Sequence, residues 1–186
     1  MVDEFSGFAR MPAPKFAPED AAELLRQAVF AQRVANADID LELIEPEKTL
    51  PFVADGRMVA QALTNVLKNA GEAVMARRAI DPYAPARMSA RLVTDDHSLT
   101  FVDEDDGIGL PTKDRDRLTE PYVTTREKGT GLGLAIVKRI CEDHGGELKL
   151  ADAETLHGAR VCLIFPLNPH PKTADDARPS GVVAAE

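Results

Sequence analysis

Two short glycine-bearing segments and an asparagine pair are the parts of this 186-residue sequence whose residue types could do chemistry. The first segment reads Asp105-Asp106-Gly107-Ile108-Gly109, and the second, about twenty residues later, reads Gly129-Thr130-Gly131-Leu132-Gly133. Asn65 and Asn69 lie upstream in a stretch with helical periodicity. A carboxylate turn, two amides one helical turn apart and a glycine loop that opens a helix together predict a nucleotide pocket.

Asn65 and Asn69 project from the same face of the predicted helix, because residues i and i+4 are about one turn apart. Two amide oxygens beside a polyphosphate suit Mg²⁺, which takes one or two protein oxygens and completes its octahedron with phosphate and water. The alternative is a solvated polar face, but the flanking apolar residues Val66 and Ala70 favour the site. Glu72 lies three residues beyond Asn69 and either reaches the same site or is solvated.

Asp105 follows a predicted strand and precedes Gly107 and Gly109, which let the backbone turn tightly and approach a flat ligand. A buried carboxylate needs a strong donor. The exocyclic amine of adenine would be one, whereas guanine carries an acceptor at that position. A calcium loop counted from Asp103 is rejected, because its sixth position would be Ile108 instead of Gly. An ordinary acidic turn is the remaining alternative.

The second glycine segment runs directly into a helix that we predict to start at Leu134. Successive N–H groups at a helix N-terminus bind anions, so phosphate is the expected ligand. The segment is not a P-loop, because no Lys-Ser or Lys-Thr follows the glycines, and its glycine spacing does not match a dinucleotide-binding loop. A flexible hinge is the alternative. Residues 110–128 predict a lid, in which Arg126 or Lys128 either touches phosphate or is solvated surface charge.

The elements that position these residues follow from periodicity and capping signals. We predict a helix from Glu19 to near Asn36, strands over 39–43 and 50–53, a helix from Arg57 to about Arg78 capped by Asp55, a hairpin of 88–94 and 98–103, a helix over 134–144 ended by Gly145-Gly146, and closing strands over 147–150 and 159–166. The sum predicts an α+β fold, a two-layer α/β sandwich in which a mixed sheet carries helices on one face.

The two ends of the chain differ from this central part. Residues 1–18 begin with apolar residues at helical spacing and continue into a proline-rich linker, which predicts the end of a helix severed from an upstream part. Residues 19–167 predict one compact domain. Residues 168–186 lack periodicity and large apolar groups, which predicts a disordered tail.

Composition excludes several classes of function. A formal charge of -9 without a Lys/Arg cluster argues against nucleic acid as a partner. No apolar run approaches the roughly 20 residues of a membrane-spanning helix, and no signal-peptide core is present. We therefore predict a cytoplasmic fragment without direct membrane contact, and a parent protein anchored in the inner membrane stays compatible. Cys141 and Cys162 lie in apolar periodic segments, which favours burial over a disulfide.

These residues resemble the catalytic domain of sensor histidine kinases. Asn65-x-x-x-Asn69-Ala70 resembles the N box, Asp105-x-Gly107-x-Gly109 the first glycine box, Glu120-Pro121-Tyr122 the F box with Tyr in place of Phe, and Gly129-Thr130-Gly131-Leu132-Gly133-Leu134 the second glycine box. The resemblance covers about residues 20–167. Residues 5–12 and 120–125 are most similar to nitrogen-regulation kinases of the NtrY type.

The resemblance implies the Bergerat ATP-binding fold shared with gyrase, Hsp90 and MutL, with ATP and Mg²⁺ as cofactors. It implies catalytic roles for Asn65 and Asn69, with Mg²⁺ on Asn69 and Asn65 assisting. The residues that it implies for ATP binding are Asn65, Asn69, Glu72, Ala73, Asp105, Gly107, Ile108, Gly109, Tyr122, Arg126, Lys128, Thr130, Gly131, Leu132 and Gly133.

Two departures bear on the activity. In the ATPase relatives the first N-box position is a Glu that acts as base on water, so Asn65 there fits phosphoryl transfer to a protein better than hydrolysis. Kinases of this class accept phosphate on a His followed by an acidic residue in a dimerising helical hairpin. The four His here are followed by Ser98, Gly145, Gly158 and Pro171, so we expect no autophosphorylation.

The partners follow from the same resemblance. They are ATP or ADP, the parent kinase's own hairpin and a response-regulator receiver domain. We expect the isolated domain to be monomeric and the parent to be a homodimer. A true ATPase and a non-catalytic nucleotide-sensing module are the alternatives.

Overall fold

The computed structural model describes residues 11–44, 49–123 and 130–167. In chain order the elements are β1 (Ala17–Asp20), α1 (Ala21–Ala35), β2 (Asp40–Ile44), β3 (Pro51–Ala54), α2 (Gly56–Ile80), β4 (Arg87–Thr94), β5 (Ser98–Asp105), a 3₁₀ helix (Arg115–Thr119), α3 (Gly133–Asp143), β6 (Glu147–Asp152) and β7 (Ala159–Pro166). The predicted order of helices and strands is confirmed, with β1 and the 3₁₀ helix as additions.

Five of the strands form one mixed sheet in the order β2-β4-β5-β7-β6. β2 runs parallel to β4, and the other neighbours are antiparallel. The three α-helices pack on one face of this sheet, where Phe101 and Leu163 join helix residues in a single core. Phe52, Phe101 and Phe165 meet edge to face with centroids 5.9 to 6.3 Å apart. The two-layer α+β sandwich is therefore confirmed.

The helix α2 forms the centre of the helical layer. Its apolar residues recur every three or four positions, so one face is buried against the sheet and the opposite face is left for polar residues. Asp55 caps its first turn as predicted, because its carboxylate accepts from the N–H groups of Arg57 and Met58. α3 ends at Asp143, where Gly145 adopts a φ of 75° and closes the helix.

The sequence did not predict β1. Residues 17–20 pair antiparallel with β3 in a separate two-stranded sheet, with Pro18 opposite Val53. Ala, Pro, Glu and Asp are weak strand formers, so the order of this segment comes from its partner strand and not from local preference.

Two side-chain features complete the fold. Arg33 of α1 donates from Nε and Nη2 to the carbonyl oxygen of Leu41 in the edge strand β2, at 3.0 and 2.7 Å. Cys141 is buried and reduced, as predicted. The predicted burial of Cys162 was wrong, because Cys162 is half-buried on the opposite face of β7 from the core residues Val161 and Leu163. In the described ranges no helix is long and apolar enough to cross a bilayer.

Candidate nucleotide site

A cleft of about 800 Å³ opens between α2, the turn after β5 and the start of α3. From α2 it is lined by Asn65, Asn69, Glu72 and Ala73, which the helical repeat places on one face. Asn65 and Asn69 are half-buried, whereas Glu72 is exposed and lies 4.0 Å from Lys68 as an i,i+4 ion pair. The predicted helix-borne residues are thus brought together on one wall.

Asn69 also lies next to the opposite wall. A Cβ built on Gly133, the first residue of α3, would meet Asn69 Nδ2 at 3.5 Å and Oδ1 at 3.8 Å. A methyl group added there would be in van der Waals contact with the amide, so Asn69 lies close to the glycine that opens α3. This proximity joins the predicted metal-binding amide to the predicted phosphate loop.

Asp105 is the last residue of β5, lines one end of the cleft and is 2% exposed. Its Oδ1 accepts from the backbone N–H of Gly107 at 2.7 Å and from that of Ala159 at 3.3 Å. The position follows from strand alternation, because β5 points Phe101, Asp103 and Asp105 to the helical side of the sheet. The N–H groups fix the orientation of the carboxylate toward the cleft.

Two glycines make this arrangement possible. A Cβ on Gly107 would lie 2.6 Å from the Cβ of Ala73, and a Cβ on Gly158 would lie 2.1 Å from Asp105 Oδ1. Gly158 also donates its N–H to the carbonyl oxygen of Asp105 at 2.7 Å. Sequence reasoning missed Gly158 and Ala159. The available signal was a glycine directly before a closing strand, which often marks a close backbone approach.

The acids on either side of Asp105 hold the loop between β6 and β7. Glu104, on the opposite sheet face, accepts from the N–H and hydroxyl of Thr155. Burial raises the pKa of Glu104, but these hydrogen bonds together with Arg91 and Arg160 outweigh it, so the pKa lies below its usual value. Asp106 accepts from the N–H of His157 at 3.1 Å and from Arg87 Nε at 2.7 Å.

Asp103 has a different environment. It is 5% exposed, and its two carboxylate oxygens have no hydrogen-bond partner within the described part of the chain. It borders a cavity of about 10 Å³ that is otherwise lined by apolar side chains, Leu63 and Leu67 among them. Burial, followed by the nearby acids Asp105 and Glu104, raises the pKa of Asp103 well above its usual value.

The start of α3 forms the other end of the cleft, with Thr130, Gly131, Leu132 and Gly133 lining it. Unlike α1 and α2, this helix has no side-chain cap on its first N–H groups. Uncapped donors at a helix N-terminus are suited to an anion. Ile108 and Gly109 line the cleft from the turn after β5.

Tyr122 contacts the site through its backbone. Its N–H donates to the carbonyl oxygen of Gly131 at 3.0 Å, while its side chain is exposed and lies off the cleft wall. Gly131 has a φ of 68°, and a Cβ there would lie 2.6 Å from the carbonyl carbon of Tyr122. The predicted lid residues Arg126 and Lys128, and Gly129, lie outside the described residues.

The family described as histidine kinase-, DNA gyrase B- and HSP90-like ATPases matches residues 54–169. The chain belongs to this ATPase family. The match includes the Asn pair, the turn at Asp105 and the start of α3, which are the three parts of the cleft.

Within this ATPase family the similar proteins are sensor kinases. The nitrogen regulation protein NtrY of Azorhizobium caulinodans is 48% identical over 167 residues, which cover 88% of this chain and 21% of that protein. A sensor histidine kinase described as NtrY-like from Rickettsia conorii is 35% identical over 167 residues, covering 90% of this chain and 27% of that protein. The chain therefore spans between about a fifth and somewhat more than a quarter of the length of these curated relatives.

Solved structures agree with this assignment. The mycobacterial sensor histidine kinase MprB matches with a TM-score of 0.68 and 27% identity over 84% of this chain and all of that one. The ATP-binding domain of PrrB from Mycobacterium tuberculosis matches with a TM-score of 0.66 and 25% identity over 81% of this chain and 96% of that one. The fold and the family thus identify the ATP-binding catalytic domain of a sensor histidine kinase.

Proposed function

We propose that this domain binds Mg·ATP in the cleft and presents the γ-phosphoryl group to a histidine on a dimerising helical hairpin of the parent kinase. The observation that carries the proposal is the placement of Asp105 at one end of the cleft and the uncapped N-terminus of α3 at the other. Asn69 lies beside Gly133 at the α3 end. A base acceptor at one end of the cleft and an anion site with an adjacent amide at the other match the adenine and the metal-bound phosphates of Mg·ATP.

Adenine recognition would rest on Asp105. Its Oδ1 is engaged by Gly107 and Ala159, and a carboxylate oxygen has more than one acceptor position, so the group can also accept from the exocyclic amine of adenine. Guanine carries an oxygen at that position and would leave the buried carboxylate facing another acceptor. This mismatch leaves a polar group unpaired, which is the strongest source of discrimination in a buried site.

The phosphates would be bound by the backbone N–H groups at the start of α3, near Gly131 and Gly133. In the described ranges no group of three or more His, Cys, Asp and Glu side chains could hold a metal ion. Mg²⁺ does not require one, because it takes few protein oxygens and fills its shell from phosphate and water. The amide oxygens of Asn69 and Asn65 fit that requirement. When bound, the ion would neutralise phosphate charge.

The chain's own contribution to phosphoryl transfer would be positioning and charge stabilisation, which dominate such reactions. Asp105 and α3 fix the two ends of the nucleotide, so the terminal phosphate is held near the mouth of the cleft. Asn65 stands where a hydrolytic relative has a general base. An amide cannot remove a proton from water at neutral pH, which favours transfer to a protein acceptor over hydrolysis.

The parent protein would be a homodimeric kinase that passes the phosphoryl group from its histidine to a response-regulator receiver domain. The NtrY relative, at 48% identity, supports a place in nitrogen regulation. Kinases of this type act through their own hairpin, so the acceptor would come from the parent chain.

Titration calorimetry with ATP and MgCl₂ tests the pocket directly. We expect one binding site for ATP in the wild-type chain, much weaker binding of GTP and a loss of ATP affinity of at least about tenfold in Asp105→Asn, because the acceptor for the exocyclic amine is replaced by an amide. A folded wild-type chain that gives no heat with ATP would remove the proposed site. Equal ATP affinity in Asp105→Asn would remove Asp105 from adenine recognition.

Transfer is tested with labelled ATP. We expect the chain to stay unlabelled alone and to label a separately supplied NtrY-type hairpin that carries the acceptor histidine. Rapid steady hydrolysis by the isolated chain would favour a true ATPase instead. ATP binding without any labelling of the hairpin would favour a nucleotide-sensing module.

A further inference from the structure

The N-terminal segment Met11–Phe16 docks where α2 begins and α3 ends. The backbone N–H of Lys15 donates to Asp55 Oδ2 at 2.9 Å. The ring of Phe16 packs edge-on against the ring of His144, with centroids 5.2 Å apart. β1 follows directly and pairs with β3. The segment is therefore held by the Lys15 hydrogen bond, by the Phe16 ring contact and by the strand that follows it.

The Asp55 carboxylate is shared between this segment and α2. Its Oδ1 accepts from the N–H groups of Arg57 and Met58 at 3.1 and 3.3 Å, while Oδ2 accepts from Lys15. Burial opposes ionisation of the carboxyl, but the hydrogen bonds from Lys15, Met58 and Arg57 outweigh it and hold the pKa of Asp55 below its usual value. One ionised group therefore caps the helix that bears the Asn pair and also holds the docked segment.

His144 connects Asp55 to α3. The backbone N–H of Asp55 donates to His144 Nε2 at 3.0 Å, and His144 Nδ1 lies 2.7 Å from the carbonyl oxygen of Ile140. Because Nε2 accepts, we assign the neutral tautomer with its proton on Nδ1. Burial lowers the pKa of His144. It outweighs the Ile140 carbonyl and the carboxylates of Asp55 and Asp143, which raise the pKa.

The docked segment also forms part of the cleft. Met11 and Pro12 line it beside Arg57, Met58 and Gln61, one turn before Asn65 on α2. Met11 packs against the hydrophobic core as well. The segment therefore contributes to a wall that the nucleotide would face.

From these contacts we propose that Asp55 and His144 are positioning residues that couple docking of the N-terminal segment to nucleotide binding. A nucleotide held by Asn69 on α2 and by Gly133 on α3 fixes the relation between the two helices. In this arrangement of α2 and α3, Asp55 is hydrogen-bonded to His144 and to Lys15. Nucleotide binding and docking of the N-terminal segment therefore favour each other to the same extent. This inference rests on the proposed nucleotide site.

The first test compares two phenylalanine variants by calorimetry with ATP and MgCl₂. Phe16→Ala removes the ring contact with His144 and changes no group that would touch ATP. Phe30→Ala is the matched control, because Phe30 is 68% exposed on α1. We expect Phe16→Ala to weaken ATP binding at least about fivefold and Phe30→Ala to bind like wild type. Wild-type affinity in a folded Phe16→Ala protein would overturn the coupling while leaving the proposed function intact, whereas a wild-type chain without heat would overturn the proposed function.

Hydrogen exchange supplies the reciprocal measurement. In the wild-type chain, ATP should slow amide exchange in residues 11–20, although only Met11 and Pro12 of that range line the cleft. In Phe16→Ala this protection should be lost. Unchanged exchange of residues 13–20 in a wild-type protein saturated with ATP would contradict the proposal.

A pair of His144 variants tests the Nε2 acceptor itself. In His144→Gln the longer side chain places an amide oxygen near the Nε2 position and can accept from Asp55, whereas in His144→Asn the amide lies near Nδ1 and leaves that N–H without its acceptor. We expect His144→Asn to lose ATP affinity at least about fivefold and His144→Gln to retain most of it. Equal losses in the two variants would overturn the role of Nε2.

A pH profile separates positioning from simple packing. Because the folded pKa of His144 is lowered, its contribution to the free energy of unfolding is fully present above the unfolded pKa of about 6.5. This contribution is lost as pH falls through the folded pKa. The ATP affinity of wild type should fall relative to that of His144→Gln as pH falls through this lowered folded pKa, because a protonated Nε2 can no longer accept from Asp55. A constant ratio of the two affinities across the pH range in which NMR shows His144 to gain its proton would contradict the proposal.

Discussion

Four acidic residues follow one another at the end of β5, and each has a different environment. Asp103 borders an apolar cavity, Glu104 bonds to Thr155 on the opposite sheet face, Asp105 faces the cleft, and Asp106 pairs with Arg87. Strand alternation separates Glu104 from its neighbours, and the turn at Gly107 redirects Asp106. Glu104, Asp105 and Asp106 are therefore held apart by geometry and by separate partners, whereas Asp103 has no hydrogen-bond partner within the described residues.

Asp103 is the one member of this run whose burial is uncompensated within the described residues. We predict that Asp103→Val raises the free energy of unfolding by about 1–3 kcal/mol at neutral pH, because it removes an unpaired polar group from an apolar site. The folded pKa is raised, so the native acid loses stability as pH rises from the unfolded value of about 4 toward the folded value.

The measurement is urea unfolding of both proteins at pH 5 and pH 8. The stabilisation by Asp103→Val should be larger at pH 8. Asp103→Asn is the matched control for shape, and its advantage over wild type should grow with pH in the same direction. A valine variant that is less stable than wild type at both pH values would contradict the prediction.

Gly158 gives a second prediction at this scale. Gly158→Ala places a methyl group where Asp105 Oδ1 and the Gly107 N–H now lie, at 2.1 and 2.6 Å from the new carbon. We expect ATP affinity to fall at least about tenfold, because the carboxylate must move by about an ångström. Gly56→Ala is the control, because the three atoms nearest to its added carbon all belong to the flexible carboxylate end of Glu19. A wild-type ATP affinity in Gly158→Ala, measured by calorimetry, would show that the position of the Asp105 carboxylate is not critical.

Residue types predicted that Asp105 and the glycines share one pocket, because the acidic turn and a second glycine segment that opens a helix occur in the same chain. They did not predict Gly158 or the burial of Asp103, because both depend on which strands lie side by side. β7 lies next to β5 although more than fifty residues separate Asp105 from Ala159. That adjacency comes from the sheet order and not from local spacing.

At the level of elements, helix caps show how much a single local signal can establish. Asp55 followed by an apolar repeat predicted α2 correctly, and the same carboxylate proved to hold the N-terminal segment. The strand β1 was missed because its sequence has little strand preference. Local capping chemistry is readable from sequence, whereas an edge strand that depends on a partner is not.

The two aspartate caps provide a matched prediction. Asp20→Ala removes one hydrogen bond, from the N–H of Ala22, and should lower the free energy of unfolding by about 1 kcal/mol without changing ATP affinity. Asp55→Ala removes the bonds to Arg57, Met58 and Lys15 together, so it should cost more and should also weaken ATP binding. Denaturant unfolding and calorimetry on both variants check this. Equal effects of the two substitutions on ATP affinity would contradict it.

At the scale of the whole domain, the helical layer connects the two ends of the cleft. α2 carries the Asn pair and meets the turn after β5 at Ala73, while α3 begins beside Asn69 and is followed directly by His144. A ligand that spans the cleft therefore contacts both helices and the sheet. Binding should stabilise the fold as a unit and not one element alone.

We predict that Mg·ATP at about one hundred times its dissociation constant raises the free energy of unfolding by about 2.7 kcal/mol, as expected for a ligand that binds the folded state only. Thermal unfolding followed by circular dichroism should show one transition that moves upward with ATP concentration. GTP at the same concentration should move it less. A midpoint that is independent of ATP would contradict the proposed site.

The guanidinium of Arg33 on the carbonyl of Leu41 has a consequence for how the protein behaves in a crowded solution. β2 is the outer strand of the five-stranded sheet, and an outer strand with vacant backbone groups is a template for another chain to extend the sheet. A charged side chain already bonded there disfavours such growth. A variant with an apolar residue in place of Arg33 should therefore form fibrils or precipitate when it is concentrated. Nucleotide binding by the remaining monomer should be unchanged.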